Sequence, residues 1–289
     1  MTPKTRADSP YRASLSASGN LLELEYNTQQ HELQNMRPPV FIFGPPRSGS
    51  TYLVEAMNTH ENIYITNELR VMSFINDLFR IFLKSERMKW TVNRPVSKDF
   101  LLHFRKEMAD LVKRYYLERM PGPDAVWGDK NPHYSDPAVD PGALDTILEL
   151  FPEAKFIHMY RNPREQIFSV TSKGWKDFQY TVLAYRRIVT IGQALGRKVG
   201  PDRYLEVKYE DLCNHGEEVA NEICAFLGVP HSEKWLEFMR QQAIKRTPYS
   251  YPVTNENEIG RPKEISFSPE EEAYFEKILG KLTRQLGYD

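Results

Sequence analysis

Eight consecutive residues limit what this chain can fold into more than any other feature of it: Gly44-Pro45-Pro46-Arg47-Ser48-Gly49-Ser50-Thr51. They follow Val40-Phe41-Ile42-Phe43, a short aromatic and β-branched run that is apolar on both faces, as a strand inside a parallel sheet must be. After them Leu53, Val54 and Met57 recur at helical spacing, which predicts a helix from Ser50 to about Thr59. A glycine-bearing turn between such a strand and such a helix collects consecutive backbone N–H groups, to which the helix adds its unpaired N–H groups and the positive end of its dipole. The expectation is an anion site cradled by Pro46, Arg47, Ser48, Gly49, Ser50 and Thr51. A turn that only caps a helix would need neither the basic residue nor the hydroxyl pair. The loop that binds nucleoside triphosphates has the same glycine separation but carries Lys where Ser50 stands. Here Arg47 supplies the positive charge, which argues against an ordinary ATPase.

Strands separated by helices continue downstream. Ile63-Tyr64-Ile65 reads as a strand that delivers Asn67-Glu68 to its carboxyl end, Ala125 to Gly128 and Lys155 to Tyr160 as two more, and Tyr204 to Tyr209 as a late one. Helical spacing covers about Gly142 to Leu150, a segment from Arg164, about Thr181 to Leu195, the Val219, Ile223, Phe226 and Leu227 stripe, and a last helix opened by Pro269. Residues 71–120 read as mostly helical, with Phe74, Leu78, Ile81 and Phe82 on one face, expected as a buried core stripe in preference to the lining of a lipid or aromatic pocket, Met108, Leu111, Val112 and Tyr115 on another, and a break at Asn93-Arg94-Pro95. That block is too long for a simple crossover and is expected to be an insertion that covers a pocket. The polar, proline-broken stretch from Arg246 to Ser268 is a candidate for a loop that closes over a ligand. The predicted architecture is α/β: a P-loop-like three-layer fold with a central, mainly parallel sheet and a helical insertion at about 71–120. Residues 1–37, whose one concentrated apolar run is Leu21 to Leu24, read as an N-terminal arm that docks locally or stays loose, and 38–289 as a single domain.

Composition narrows the partners. Across 289 residues, 38 Lys plus Arg oppose 39 Asp plus Glu, a formal charge of -1 that gives no global reason to bind nucleic acid or an acidic membrane. Apolar runs fall well short of the roughly 20 residues that cross a bilayer, and the N-terminus lacks an apolar signal core. A soluble, cytoplasmic protein without stable membrane insertion is therefore expected. Cys213 and Cys224 are too few for a disulfide framework and have no visible His partner, and the 7 His residues show no ligand spacing, so no metal site is expected. Oligomeric state leaves no trace, because a partner face and a core face share one periodicity.

A second basic and hydroxyl constellation, Arg161-Asn162-Pro163-Arg164-Glu165-Gln166-Ile167-Phe168-Ser169, stands at another strand-to-helix junction, and parallel sheets collect ligands at such carboxyl ends. Arg161 can grip a phosphate through two parallel N–H donors, and Ser169, further along the helix, can approach it from the side. Two separate phosphate sites suggest a nucleotide with phosphates at both ends of its ribose. Together with Tyr209-Glu210-Asp211-Leu212, these motifs resemble the sulfotransferases that use 3′-phosphoadenosine 5′-phosphosulfate (PAPS), a likeness that covers roughly residues 38–289. Arg47, in place of the Lys common among cytosolic small-molecule members, is more similar to the tyrosylprotein and related bacterial branches. The resemblance implies that the phosphate turn takes the 5′-phosphosulfate, that Arg161 and Ser169 take the 3′-phosphate, and that 3′-phosphoadenosine 5′-phosphate (PAP) is the product. It also offers Arg261, in Gly260-Arg261, as a further 3′-phosphate residue, against a plain solvated loop cation. Tyr209 can border the adenine or simply pack in the core.

Sulfuryl transfer to a hydroxyl needs an acceptor oxygen in line with sulfur, a base for its proton and donors at the oxygen that gains charge as the S–O bond breaks. Glu68, in Thr66-Asn67-Glu68-Leu69-Arg70, stands just past a predicted strand. Its Glu-x-Arg arrangement is similar to that of tyrosylprotein sulfotransferases, whose glutamate is the base; a surface Glu–Arg pair is the alternative. Lys130, in Trp127-Gly128-Asp129-Lys130-Asn131-Pro132-His133, resembles the motif lysine of the same branch. With Arg47 it would stabilise the separating phosphate oxygens, unless it forms a structural ion pair. His133 is the rival base because imidazole titrates near neutrality, whereas His158, inside an apolar strand, reads as a sheet histidine. The expected activity is transfer of a sulfuryl group from PAPS to a hydroxylated small molecule or a peptide tyrosine, with Glu68, Arg47 and Lys130 catalytic. A nucleotide-dependent kinase-like enzyme and a noncatalytic nucleotide-binding module are the alternatives.

Overall fold

The computed structural model describes residues 31–84, 95–242 and 265–288. Strands β1 (Val40–Phe43), β2 (Ile63–Asn67), β3 (Val126–Lys130), β4 (Lys155–Tyr160) and β5 (Tyr204–Lys208) form one sheet in the order β2-β3-β1-β4-β5. Every neighbouring pair is parallel. With β1 in the middle, the chain first leaves toward one edge and later crosses to the other. The loops at the carboxyl ends of β1, β3 and β4 therefore part around one crevice, where open parallel sheets bind their ligands.

Helices α1 (Ser50–Met57), α2 (Val71–Lys84), α3 (Pro95–Leu117), α4 (Ala143–Leu150), α5 (Pro163–Thr171) and α6 (Phe178–Val199) follow in chain order. After β5 come α7 (Tyr209–Asn214), α8 (Gly216–Leu227), α9 (Glu233–Gln242) and α10 (Pro269–Gln285). Alternate residues of a strand face opposite sides of the sheet. Phe41 and Phe43 of β1 thus join Trp127, Phe156 and residues of α2, α3 and α4 in one core, while Val40 and Ile42 join Ile157, Met159 and residues of α1, α8 and α9 in the other. A third cluster packs α6 against α10 through Val182, Tyr185, Phe275 and Leu279. The result is the helix–sheet–helix arrangement that the strand–helix alternation implies.

Trp127 anchors the first core. Its ring lies 4.8 Å from Tyr116 and 5.6 Å from Phe151, and its indole N–H donates to the Arg37 carbonyl at 2.8 Å. Truncating such a ring to alanine costs about 3–5 kcal/mol, the transfer term plus the cavity left behind. Leu33 and Met36 pack into the same core, so the stretch just ahead of residue 38 docks locally. The Leu21 to Leu24 run lies outside the described residues.

Two expectations need correction. The apolar stripe predicted to be the buried face of α2 is not: Phe74 and Ile81 are 63% and 69% exposed, and the core takes Met72, Ile75 and Phe79 instead. Both stripes have helical spacing, and the choice is made by Asn76, on the inner side, which donates to Asp140 and accepts from the Thr146 hydroxyl. On α3, likewise, Leu111 is exposed while Val112 and Tyr116 are buried. The expected late strand also stops one residue early, because Tyr209 opens α7 rather than closing β5.

Candidate active site

The turn after β1 is shaped by contacts that leave no room for side chains. A Cβ on Gly44, at φ +150°, would lie 1.8 Å from the Met159 carbonyl oxygen. Gly49 caps α1 in the left-handed conformation, at φ 84°, with the Tyr209 ring so close that a Cβ would come within 2.3 Å of it. Gly49 brings no side-chain cap to the helix, so the first N–H groups of α1 face the turn without one. Inside the turn the Ser48 hydroxyl is buried and has no hydrogen-bond partner. A buried hydroxyl without a partner and a free helix N-terminus form a donor set that an anionic oxygen completes.

The second basic element shares a wall with this turn. Arg47 Nε donates to Ser169 Oγ at 3.1 Å, and Gln166 Nε2 donates to the Pro46 carbonyl at 2.8 Å, so α5 lies directly against the phosphate turn. Arg161, at the end of β4, is ion-paired with Glu165 one helical turn on and stacks 4.5 Å from the centre of the Tyr209 ring. Tyr209 therefore bridges Gly49 and Arg161 from the start of α7 rather than from the end of a strand. The Tyr185 hydroxyl donates to the Arg161 carbonyl at 2.6 Å, and Glu210 accepts from the Asn162 N–H at 2.8 Å. Asn162 in turn caps α5 through the Arg164 N–H. Arg261 lies outside the described residues, as do Gly260, Pro248, Pro252, Pro262 and the Asn93-Arg94 break.

Opposite this wall stands a carboxylate on a strained turn. Among the described residues, positive φ outside glycine occurs at Arg47 (71°), Glu68 (58°) and Arg70 (59°), all three in the crevice. Such conformations persist only where surrounding contacts impose them, and they concentrate at functional sites. Lys130, 1% exposed at the end of β3, extends Nζ to Glu68 Oε1 at 2.9 Å and to Thr51 Oγ1 at 3.1 Å, linking the carboxylate to the first turn of α1. The Glu68 N–H donates to the Lys130 carbonyl at 2.7 Å, and Arg70 adds a weaker ion pair at 3.6 Å. Burial pushes the Glu68 carboxyl up, but the hydrogen bond and charge of Lys130, with Arg70 behind them, hold it below the ordinary carboxylate range. Burial raises Asp129, against the hydrogen bonds it accepts from Thr66, Tyr134 and the Leu69 N–H.

A cavity of about 340 Å³ opens beside Glu68, walled by Pro46, His133, Gln166, Val170, Trp175 and Tyr185 among others. Its walls come from the turn after β1, Glu68, residues 132–139, α5, α6 and the link between those two helices; among the described residues, α2 and α3 contribute none of its lining and pack on the sheet. His133 Nδ1 is buried without a partner, and burial lowers this imidazole, partly opposed by Asp136 and Glu68. His158 is fully buried, stacked 4.9 Å from Phe43 and hydrogen-bonded to the Tyr204 hydroxyl at 2.6 Å, as a sheet histidine should be. Burial pushes the Cys213 thiol up to about 11, and no group of three or more His, Cys, Asp or Glu side chains with metal-site geometry occurs among the described residues. Among them, no helix is long and apolar enough to cross a membrane.

Several wall residues escaped the sequence reading, Gln166, Asp136 and Trp175 among them. Gln166 sat within the quoted Arg161 to Ser169 stretch without a role. Asp136, which ion-pairs with Arg187 at 2.8 Å, and Trp175, 5.6 Å from the Arg47 guanidinium, carry no motif at all.

A lysine-free glycine turn at the centre of a parallel sheet, a second basic helix start beside it and an ion-paired carboxylate across the crevice together mark an α/β fold with a cavity at the carboxyl ends of its strands. Residues 38–233 match the pattern of the sulfotransferase family, and the chain belongs to that family. Over 218 residues it is 28% identical to a protein-tyrosine sulfotransferase of Drosophila melanogaster, covering 72% of this chain and 41% of the fly protein. Over 269 residues it is 27% identical to protein-tyrosine sulfotransferase A of Caenorhabditis elegans, covering 87% of this chain and 67% of the nematode protein. The chain thus spans only part of the length of these relatives. The sulfotransferase domain of the Synechococcus PCC 7002 olefin synthase is 28% identical, with a TM-score of 0.57 over 88% of this chain and 96% of that domain.

Proposed function

We propose that this chain transfers a sulfuryl group from PAPS to a hydroxyl acceptor and releases PAP. The observation that carries this reading is the contact of Arg47 with Ser169 together with the Thr51–Lys130–Glu68 chain, which gathers both phosphate elements and a carboxylate in one crevice. The turn from Pro46 to Thr51 would hold the 5′ end of the donor, with the unpartnered Ser48 hydroxyl and the α1 N-terminus as anion donors. Arg161 and Ser169 would hold the 3′-phosphate, and Tyr209 would border the nucleotide between them. Arg161 would release part of its hold on Glu165 to do so. When bound, the donor supplies an activated S–O bond whose cleavage leaves negative charge on its phosphate.

Glu68 receives the acceptor's proton in this reading, while Lys130 and Arg47 set fixed positive charge where that negative charge develops. A carboxylate held low is a weak base, which suits a proton that becomes acidic only as the acceptor oxygen bonds to sulfur. The buried, unpartnered Nδ1 of His133 favours a second reading in which the imidazole takes the proton. A cavity of about 340 Å³ with aromatic walls has room for one aromatic ring. That fits a phenolic acceptor, either a small hydroxylated molecule or a tyrosine side chain; relatives that carry the name protein-tyrosine sulfotransferase favour the latter. The test is a screen of tyrosine peptides, phenols and alcohols with sulfate-labelled PAPS and purified protein. Label on a hydroxyl acceptor is expected; ATP turnover with Mg²⁺ and no label transfer would mark a kinase-like enzyme instead.

A further inference from the structure

Asp129 takes no part in the chemistry above, yet its carboxylate accepts three hydrogen bonds beside the site. Oδ1 accepts the Thr66 hydroxyl at 2.6 Å and the Leu69 N–H at 3.1 Å, and Oδ2 accepts the Tyr134 hydroxyl at 2.6 Å. The residue is 1% exposed, so it meets no ligand directly. Its two partners on Oδ1 bracket Glu68 along the chain. Between and just after them, Glu68 and Arg70 hold left-handed backbone that side chains rarely adopt. Such a turn keeps its shape only if something outside it supplies the restraint. The end of β3 does so twice over: the Lys130 carbonyl takes the Glu68 N–H, and the Asp129 carboxylate takes the next N–H in line.

We propose that Asp129 is a positioning residue, which clamps the turn between β2 and α2 and so aims the Glu68 carboxylate at Lys130 and the acceptor cavity. Without it the Thr66 hydroxyl and the Leu69 N–H lose a shared buried acceptor, the turn relaxes, and Glu68 swings from its place. The inference rests on reading Glu68 as the base. Its requirement is for an oxygen at the Oδ1 position rather than for charge. An asparagine can keep its amide oxygen there and turn its NH₂ toward the Tyr134 hydroxyl oxygen, which is able to accept.

The experiment is a double-mutant cycle on kcat, with PAP affinity and thermal unfolding followed alongside. Glu68→Gln is expected to lower kcat by about 100- to 1,000-fold, as removal of a general base does. Asp129→Ala should lower kcat by about 100-fold through displacement of that base while leaving PAP affinity within about threefold. Combined, the two should cost little more than Glu68→Gln alone, since an effect that runs through Glu68 has nothing left to act on. Asp129→Asn should stay within about threefold of wild type on the hydrogen-bond count given above. If Asp129→Ala does not fold, Thr66→Val, of similar shape, replaces it in the cycle with an expected loss of about tenfold that again vanishes beside Glu68→Gln. Losses that multiply, or an asparagine variant as slow as the alanine one, would overturn the positioning role and leave the base assignment standing. Near-wild-type turnover by Glu68→Gln would instead remove the base assignment, and this inference with it.

Discussion

The proposed donor wall and the proposed acceptor wall of the crevice are built on different plans. On the donor wall each element is shaped locally, the turn by backbone and glycine, Arg161 by Glu165 on the helix that follows it, and that helix by its Asn162 cap, and only then do Arg47–Ser169 and Gln166–Pro46 join the two elements across the chain. On the acceptor wall the parts come from distant segments. Lys130 reaches back to Glu68 and Thr51, Asp129 to Thr66 and Leu69, and Arg187 to Asp136. A wall made from local geometry tolerates little change in backbone but much in its surroundings. A wall made from long-range side-chain pairs keeps its fold when one member is altered and loses its aim. Substitutions on the donor wall should therefore act on nucleotide affinity, and those on the acceptor wall on turnover.

The largest effect expected is on the acceptor wall. Glu68→Gln removes the proposed proton acceptor while keeping shape, so sulfate transfer should fall by about 100-fold or more with PAP binding measured by calorimetry unchanged. Equal loss of both would mean that the two walls are not separable. Next is Lys130→Met, expected to slow transfer by about 100-fold through loss of a fixed cation at the developing charge. It should also move the pH dependence. In the wild-type protein the Glu68 carboxyl is held below its ordinary range, so with Glu68 as the proposed base turnover should be lost only as the pH falls through that lowered value. With Lys130 gone, burial acts with less opposition, the carboxyl rises, and the acid limb of the pH–rate profile should shift to higher pH. A limb that stays in place would point to His133 as the group being titrated. On the donor wall, Gly49→Ala puts a methyl against Tyr209 and forces a left-handed alanine. Its expected signature is a loss of PAP affinity of about tenfold with little change in kcat at saturating donor.

The same division explains what could be read from the sequence. The parallel α/β sheet, the phosphate turn and the Arg161 to Ser169 element were legible because each is a strand, a turn and a helix in unbroken succession, and short-range spacing encodes all three. Glu68 and Lys130 could be placed at strand ends, but not joined, since nothing in sequence says that β3 lies beside β2. The buried face of α2 was misread because two stripes of equal periodicity compete, and the deciding contact of Asn76 with Asp140 is a tertiary one. Asp129 stood inside a quoted motif, yet the direction of a carboxylate on a strand of five buried residues depends on partners that only the fold supplies.

Arg70 has a side chain that is 61% exposed, a single long ion pair within the crevice and a backbone that glycine would occupy without strain. Arg70→Gly should therefore raise the melting temperature, by relieving about 1 kcal/mol at that position, while loosening the neighbouring carboxylate and dulling the enzyme. On the proposed role of Glu68, that arginine would trade thermal endurance for reactivity, and a heat-tolerant variant obtained by screening without an activity assay should be checked at this residue.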